Sequence, residues 1–300
     1  MRKGFGPLLM IIVVLAFVSA LFGSYYFTDK KVFNKRVFEE KILSTGNEIE
    51  TYTRIISSAS DLATIQAIHD VGQNMIVYDS YEYNPKNYLP YWDSISKDKI
   101  KNEISRISLI YMKNYENAYD NFFEEKNKKK VNLRNNIEWK IIWPDDSDHE
   151  INFNENYIEN NFGIATIQYK RPFLNITKQF PFESSINIEF EKILDIGNEV
   201  IEKVNNGENI EDIESEYNDK IKVELEQNNG FVLVSIHDEK LYPLYDPVTN
   251  EPKLDHLGLK FLVETGNAEK VSPENLDIFY ECKNGKIISS NENICELYLT

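Results

Sequence analysis

The sequence contains few of the residues that build metal sites and nucleophilic sites. It has two cysteines and four histidines in 300 residues, and no two histidines lie within four positions of each other. Zinc sites use cysteine and histidine at short spacings, so this distribution predicts no metal site. The GxSxG, Walker, GxGxxG and HExxH motifs do not occur. We therefore expect no catalytic, cofactor-binding or metal-binding residues, no cofactor, and a protein that is not an enzyme.

Positive charge is also scarce. The chain has 33 lysines and arginines against 49 aspartates and glutamates, which gives a formal net charge of −16. A surface of this sign repels phosphate backbones, so the composition excludes nucleic acid as a partner. We attribute the acidity mainly to solubility, with cation binding at an outer surface as the alternative.

Long apolar runs are absent except at the N-terminus. Two cations at residues 2 and 3 are followed by no charge before Asp29, and eleven of the residues 8–22 are Leu, Ile, Val or Phe. At 1.5 Å per residue, a helix over residues 7–27 is long enough for a hydrocarbon core about 30 Å thick. The sequence predicts a transmembrane anchor over residues 1–28, with a signal peptide cleaved after Ala20 as the alternative.

This segment sets the expected location. Four cations at residues 30–36 follow the apolar run, so a count of flanking charges alone favours the opposite orientation. Long domains translocate largely regardless of charge, and a late cysteine pair with a glycosylation sequon favours an exported C-terminal region. We expect a single-pass cell-membrane protein whose partner is the lipid bilayer and whose C-terminal domain lies outside.

Residues 29–130 have helical periodicity. From residue 31 to about residue 70, apolar residues recur at spacings of four and three, which indicates one helix packed along another element. Gly72 is placed to end this helix. A second apolar stripe over residues 95–125 predicts a partner helix, so we expect a helical spine with an antiparallel hairpin whose seam includes Ile49, Ile56 and Ala63.

Residues 131–300 alternate between short helices and strand patterns. Two helices are predicted at 193–204 and 210–217, and Asn229-Gly230 is a hairpin signal between two strands. The proline-containing stretch 241–255 has the composition of a loop. The predicted fold is therefore α+β: a transmembrane helix, a helical spine, and a mixed, mostly antiparallel β-rich domain with strands at 137–143, 162–169, 186–190, 221–226, 231–237, 257–265 and 277–282.

Three features of the exported region predict local chemistry. Cys282 and Cys295 are the only thiols, and we expect them to form a disulfide, with two free buried thiols as the alternative. Asn175 begins an Asn-Ile-Thr acceptor for N-linked glycosylation. His69 and Asp70 are adjacent near a predicted helix end; we expect the histidine to interact with the helix dipole, with an imidazole–carboxylate pair as the alternative.

The N-terminal residues resemble one known family. The short basic segment Arg2 to Gly4, followed by Phe5-Gly6-Pro7 and an unbroken apolar helix, is similar to the N-terminus of archaeal type IV pilin-like proteins. The resemblance covers about the first thirty residues. It implies processing between Gly4 and Phe5, packing of the apolar helix into a filament core, and a long helical spine that carries a β-rich head.

Together these observations predict a membrane-anchored extracytoplasmic structural or surface protein, in its sharper form a pilin-like subunit that self-assembles. The first alternative is a tethered ectodomain that binds a ligand or a protein partner without polymerising. The second alternative is an exported enzyme whose site the sequence does not display.

Overall fold

The structure is a computed structural model of the 300-residue chain. It describes the backbone of residues 5–73, 82–84, 89–130, 138–171, 174–217, 220–245, 252–272, 280–281 and 288–289. Side chains are described from Glu39 to Ser272 within these segments, apart from residues 129, 130 and 245. The chain divides into two compact units, Met1–Thr53 and Arg54–Thr300.

Helix α1, Phe5–Gly72, is 68 residues long and is the one described element of the first unit. It accommodates its threonines because their hydroxyls bond within the helix: Thr51 and Thr53 donate to the carbonyls of Asn47 and Ile49 at 2.9 and 2.8 Å. At 1.5 Å per residue, α1 is about 100 Å long. The predicted continuous helix over residues 31–69 is confirmed.

The predicted transmembrane helix is wrong. Within the part of the chain that the structure describes, no helix is both long enough and apolar enough to cross a membrane. Crossing a bilayer requires about 20 predominantly apolar residues, whereas charged residues such as Glu48, Arg54 and Asp61 recur at short intervals along the described side chains of α1. The fold that the structure does support is α+β with helices and antiparallel sheets.

Helix α2, Lys97–Lys130, runs antiparallel to the end of α1 within the second unit. The Tyr111 hydroxyl donates to Asp70, and the Tyr119 hydroxyl donates to the carbonyl of Ile55 at 3.3 Å. Contacts that move forward along α2 therefore move backward along α1, as a helical hairpin requires. Ile56 and Ala63, predicted for the seam, are fully buried.

The first sheet is built around strand β3. Strands β1 and β2 lie end to end along one edge of β3, and β4 pairs with the other edge, all antiparallel. A 3-10 turn at Asp146–Asp148 joins β1 to β2 opposite a β-bulge in β3. The strands are β1 (Glu138–Ile142), β2 (Glu150–Phe153), β3 (Ile158–Arg171) and β4 (Leu174–Ile186).

The bulge depends on Gly163. Its φ of 102° lies in the left-handed region, and a β-carbon at this position would stand 2.8 Å from the β-carbon of Pro144. The Gly163 amide donates to the side-chain oxygen of Asn161 at 2.8 Å. Glycine therefore allows the β1–β2 turn to pass directly over β3.

The second sheet follows two helices and has the order β5-β6-β7, all antiparallel. Asn229-Gly230 forms the predicted two-residue turn between β5 and β6, with φ of 89° at Gly230. The elements are α3 (Phe190–Asn205), α4 (Ile210–Glu216), β5 (Ile221–Asn228), β6 (Phe231–Tyr245) and β7 (Pro252–Glu264), and a pair of two-residue strands, β8 (Tyr280–Glu281) and β9 (Ile288–Ser289), follows them.

The β6–β7 pairing extends into the stretch that we predicted as a loop. Beyond a bulge at residues 237–241, the ladder resumes from Leu241 opposite His256 to Tyr245 opposite Pro252. Tyr242 and Leu244 are buried while Leu241 and Pro243 are exposed, which is the alternation of a strand with one covered face. The loop prediction for these residues is therefore wrong.

The core of the second unit joins both sheets and all four helices. Its buried residues come from the end of α1, from α2, α3 and α4, and from β2 to β7. Gly197 of α3 allows a close approach, because a β-carbon there would stand 2.3 Å from the δ-carbon of Ile95. Trp92, which precedes α2, stacks on Phe261 of β7 at 4.7 Å between ring centroids and donates its amide to the carbonyl of Leu262 at 2.8 Å.

Candidate functional site

A buried polar cluster lies where the end of α1 meets α2 and β7. We call Gln66, His69, Asp70, Tyr111 and Asp255 the Asp70 cluster. Asp70 is fully buried, and its carboxylate accepts hydrogen bonds from the Gln66 amide at 2.9 Å and from the Tyr111 hydroxyl. The His69 ring lies between two carboxylates, with Nδ1 at 3.0 Å from Asp70 and Nε2 at 3.4 Å from Asp255.

Asp255 is a partly exposed member of the Asp70 cluster. The side chain of Asp255 is 42% exposed, whereas that of His69 is 3% exposed. Burial alone would raise the pKa of Asp255, but the amide of His256 and the ammonium of Lys253 hydrogen-bond to the carboxylate, and with the nearby His69 they hold this pKa below its ordinary value. The carboxylate of Asp255 is therefore ionised at neutral pH.

The sequence predicted a dipole interaction for His69, with a carboxylate pair as the alternative. His69 does lie in the last turn of α1. The structure also brings it into contact with Asp70 and with Asp255, which is far away in the sequence. The arrangement holds an imidazole in a fixed orientation between two acceptors and joins three secondary-structure elements.

A second polar line crosses the interface between α2, the β1–β2 turn, β3 and α1. We call Ser105, His149, Asn160 and Thr64 the His149 line. The His149 Nε2 lies 2.7 Å from the Asn160 side-chain oxygen, and the Asn160 amide donates to the Thr64 hydroxyl at 3.0 Å. Because an amide oxygen can only accept, Nε2 carries the proton and Nδ1 accepts from the Ser105 hydroxyl at 3.2 Å.

The electrostatics of the His149 line favour the neutral imidazole. Burial lowers the pKa of His149 below its ordinary value, and hydrogen bonding to Asn160 and the nearby Asp146 offset this only in part. The order is therefore hydroxyl, neutral base and orienting amide, which is the relation required of an activated nucleophile. Asn160 is fully buried, so the orienting group is held firmly.

Sequence reasoning missed the His149 line because its members are not neighbours in the chain. Ser105 and His149 are 44 residues apart, and Asn160 and Thr64 are 96 residues apart. None of the four belongs to a motif with a fixed spacing. Only the packing of α2 on the first sheet brings them together.

Two histidine rings lie against each other at a tilt of 35° where β6 is bulged. The rings of His237 and His256 are 4.6 Å apart, and His256 Nδ1 lies 2.8 Å from the carbonyl of Asp238. A carbonyl can only accept, so this nitrogen donates. Among the residues that the structure describes, no group of three or more histidines, cysteines and acidic residues is arranged to hold a metal ion.

An acidic group with a raised pKa lies beside the β1–β2 turn. The Lys113 ammonium contacts Asp146 at 2.5 Å. One turn further along α2, burial raises the pKa of Glu116 to about 7, with Asp146 and Asp120 adding to the effect and Lys113 opposing it. Glu116 is thus partly protonated at neutral pH.

The predicted site residues have different outcomes. Asn175 is exposed on β4, and Phe5 is the first residue of α1. Gly4, Cys282 and Cys295 lie outside the described residues, so processing at Gly4–Phe5 and the disulfide stay predictions. Asn175 belongs neither to the Asp70 cluster nor to the His149 line.

Comparison of the chain with protein-family models, with curated proteins and with solved structures finds no match.

Proposed function

We propose that this chain is a non-enzymatic structural protein of the cell surface, in which the N-terminal part of α1 attaches the second unit to an assembly of like chains. The observation that carries the proposal is the continuity of α1. The uncharged apolar residues 8–22 belong to the same unbroken helix as His69 and Asp70, which are fixed in the core of the second unit.

The apolar residues supply the driving force for attachment. Burying one large aliphatic or aromatic side chain stabilises by about 1.5–3 kcal/mol. Eleven such residues lie within 8–22, so removing them from water contributes on the order of 15–30 kcal/mol before entropy is counted. An isolated helix cannot cover its own surface, and we infer that other copies of this segment supply the apolar surface that it needs.

The resemblance to archaeal type IV pilin-like proteins favours copies of the same segment. In that version the chain is processed to begin at Phe5, and the apolar helices pack against one another in a filament core. The competing version is a tethered ectodomain, which keeps residues 1–4 and binds a protein partner without polymerising. Both versions place the second unit outside the cell.

Two measurements test the proposal. The mass of the membrane-purified protein gives its first residue, which is Phe5 after pilin-type processing, Met1 without cleavage and Leu21 after removal of a signal peptide. An Ile12→Asp variant should lose assembly in sedimentation and electron microscopy, while the matched Ile12→Leu variant keeps it. A protein that starts at Met1 and stays monomeric in detergent and in membranes overturns the filament version and leaves the tethered ectodomain.

The His149 line supports a second candidate function, acyl transfer by Ser105 with His149 as the base. Acyl transfer ranks second because the hydrogen bonds of the His149 line also have a simple structural explanation. They pair buried polar groups and join four secondary-structure elements, and neither role requires a substrate. A fluorophosphonate probe labels activated serines covalently. Labelling that is lost in Ser105→Ala and kept in Ser108→Ala would overturn the structural proposal in favour of acyl transfer. A native protein that is not labelled supports the structural proposal.

A further inference from the structure

Strand β4 lies at an edge of the first sheet, and only part of this edge is protected. β4 pairs with β3 along one side. Among the described strands, none pairs with its other side. An exposed edge presents unpaired backbone groups that another strand can bind, and proteins usually block such edges. How β4 is blocked therefore matters if the chain is exported and concentrated at a surface, as the proposed function requires.

The C-terminal half of β4 has its own protection. Pro181 has no N–H to offer to an incoming strand. Glu183 lies two residues after Pro181, and its carbonyl accepts a hydrogen bond from the Ser60 hydroxyl of α1 at 2.8 Å. Helix α1 therefore lies over this part of the strand. The proline and the hydrogen bond to Ser60 therefore disfavour an additional strand along residues 181–183.

In the N-terminal half of β4, residues 174–180 contain no proline, and the sequon lies there. Asn175-Ile176-Thr177 is the only Asn-X-Ser/Thr sequence in the chain. Asn175 and Thr177 are both exposed, and because they are two positions apart in a strand they lie on the same face. The acceptor amide and the hydroxyl that completes the sequon are thus presented together to solvent.

The surroundings of the sequon suit a hydrophilic attachment. Asn175 is opposite Lys170 in the register of β3 and β4, and Thr177 is opposite Gln168. In the next strand, Lys170 is opposite the exposed Glu138. Among the described residues, this corner of the sheet face is therefore polar across three strands.

We propose that Asn175 carries an N-linked glycan, added on export, that covers the N-terminal half of the β4 edge. The proposal rests on the export assumed in the proposed function. In the transfer step the Asn175 side-chain nitrogen forms a bond to C1 of the sugar and loses one proton. The bond from C1 to the phosphate oxygen of a lipid-linked glycosyl donor breaks, and the phosphate departs with the bonding electron pair.

The first test is the mass of the full-length protein purified from its own cells. We expect a mass above that of the polypeptide, lost in Asn175→Gln and in Thr177→Val, and kept in Thr177→Ser. Thr177→Val is the matched control for shape, since it keeps a β-branched side chain and removes only the hydroxyl. A native protein with the bare polypeptide mass, or sugar that persists in both loss variants, overturns the proposal.

The second test separates the glycan from export. Digestion of intact cells with an added protease reports whether the second unit is outside. A chain that is cleaved from outside yet carries no sugar overturns the glycan while the proposed surface function stands, and a chain that is protected and unmodified overturns both. In the glycosylated protein we also expect Asn175→Gln to increase concentration-dependent association, and Asn175→Gln combined with Ile176→Pro to reverse that increase.

Discussion

Gly72 at the end of α1 lies directly against the backbone of Gly258 in β7. A β-carbon on Gly72 would stand 1.8 Å from the Gly258 carbonyl oxygen, and one on Gly258 would stand 2.0 Å from the carbonyl oxygen of Ile236 in β6. The backbone of α1 thus contacts the backbone of the edge strand β7, and β7 in turn contacts the backbone of the central strand β6. Because the obstructing atoms are backbone atoms, no rotation of a side chain can relieve a clash at either glycine.

We predict that Gly72→Ala strongly destabilises the second unit, by about 2–4 kcal/mol, because the helix end must move away from β7 to make room for the methyl group. Gly46→Ala is the matched control. It lies in the same helix with nothing within 4 Å of a β-carbon, and a helix-interior Gly→Ala change stabilises by about 0.5–1 kcal/mol. Urea unfolding of the two variants should move in opposite directions, and equal midpoints would contradict the contact.

The seam of α1 gives a second prediction. Ile56 is 1% exposed, so Ile56→Asp places an unpaired charge in the core and should cost several kcal/mol of unfolding free energy. Leu43 lies in the same helix and is 68% exposed, so Leu43→Asp should change stability by less than about 0.5 kcal/mol. Thermal unfolding followed by circular dichroism measures both, and similar melting temperatures for the two variants would show that Ile56 is not in the core.

The Asp70 cluster gives a third prediction. Asp70→Ala removes the acceptor of two hydrogen bonds from Gln66 and Tyr111 at a fully buried position, which should cost about 3–5 kcal/mol. Asp255→Ala alters the exposed end of the same cluster and should cost less than about 1 kcal/mol. A double-mutant cycle of Asp70→Asn with Tyr111→Phe isolates the pair, and a coupling energy near zero would contradict the hydrogen bond.

The predictable parts of this fold are those with local signals. The spacing of four and three predicted the long helix correctly because one face of α1 is buried over many turns. Asn229-Gly230 predicted its hairpin because few residues adopt the positive φ that such a turn needs. The transmembrane prediction used the apolar run alone, and within the described part of the chain no helix is long enough and apolar enough to cross a membrane.

The missed parts depend on tertiary contacts. Prolines 243 and 252 suggested a loop, yet both occur in the β6–β7 ladder, where Tyr242 and Leu244 are buried. Proline is tolerated there because burial of the alternate side chains outweighs one missing backbone donor. The His149 line has no counterpart in sequence spacing, since two helices, a turn and a strand each supply one member.

The last prediction concerns pH. Burial raises the pKa of Glu116 from its ordinary value of 4.5 to about 7 in the folded protein. A carboxyl whose pKa is higher in the folded state binds its proton more tightly there, so its contribution to stability is complete below about pH 4.5 and is lost as the pH rises through about 7. At pH 8 the folded protein therefore bears the cost of a partly buried carboxylate beside Asp120 and Asp146.

Glu116→Gln removes that cost and should stabilise the protein at pH 8 by about 1 kcal/mol, a value reduced from the full linkage energy because solvent screens a half-exposed group. At pH 4 the native glutamate is itself neutral, so Glu116→Gln and the wild type should have the same unfolding midpoint. Glu124→Gln on the same helix removes a carboxylate whose pKa is lowered by its hydrogen bond with Lys128, and it should not stabilise at either pH. The measurement is the unfolding midpoint of each protein across pH 4–8. If Glu116→Gln is already more stable than the wild type at pH 4, or is no more stable at pH 8, the Glu116 carboxyl titrates as a solvated group.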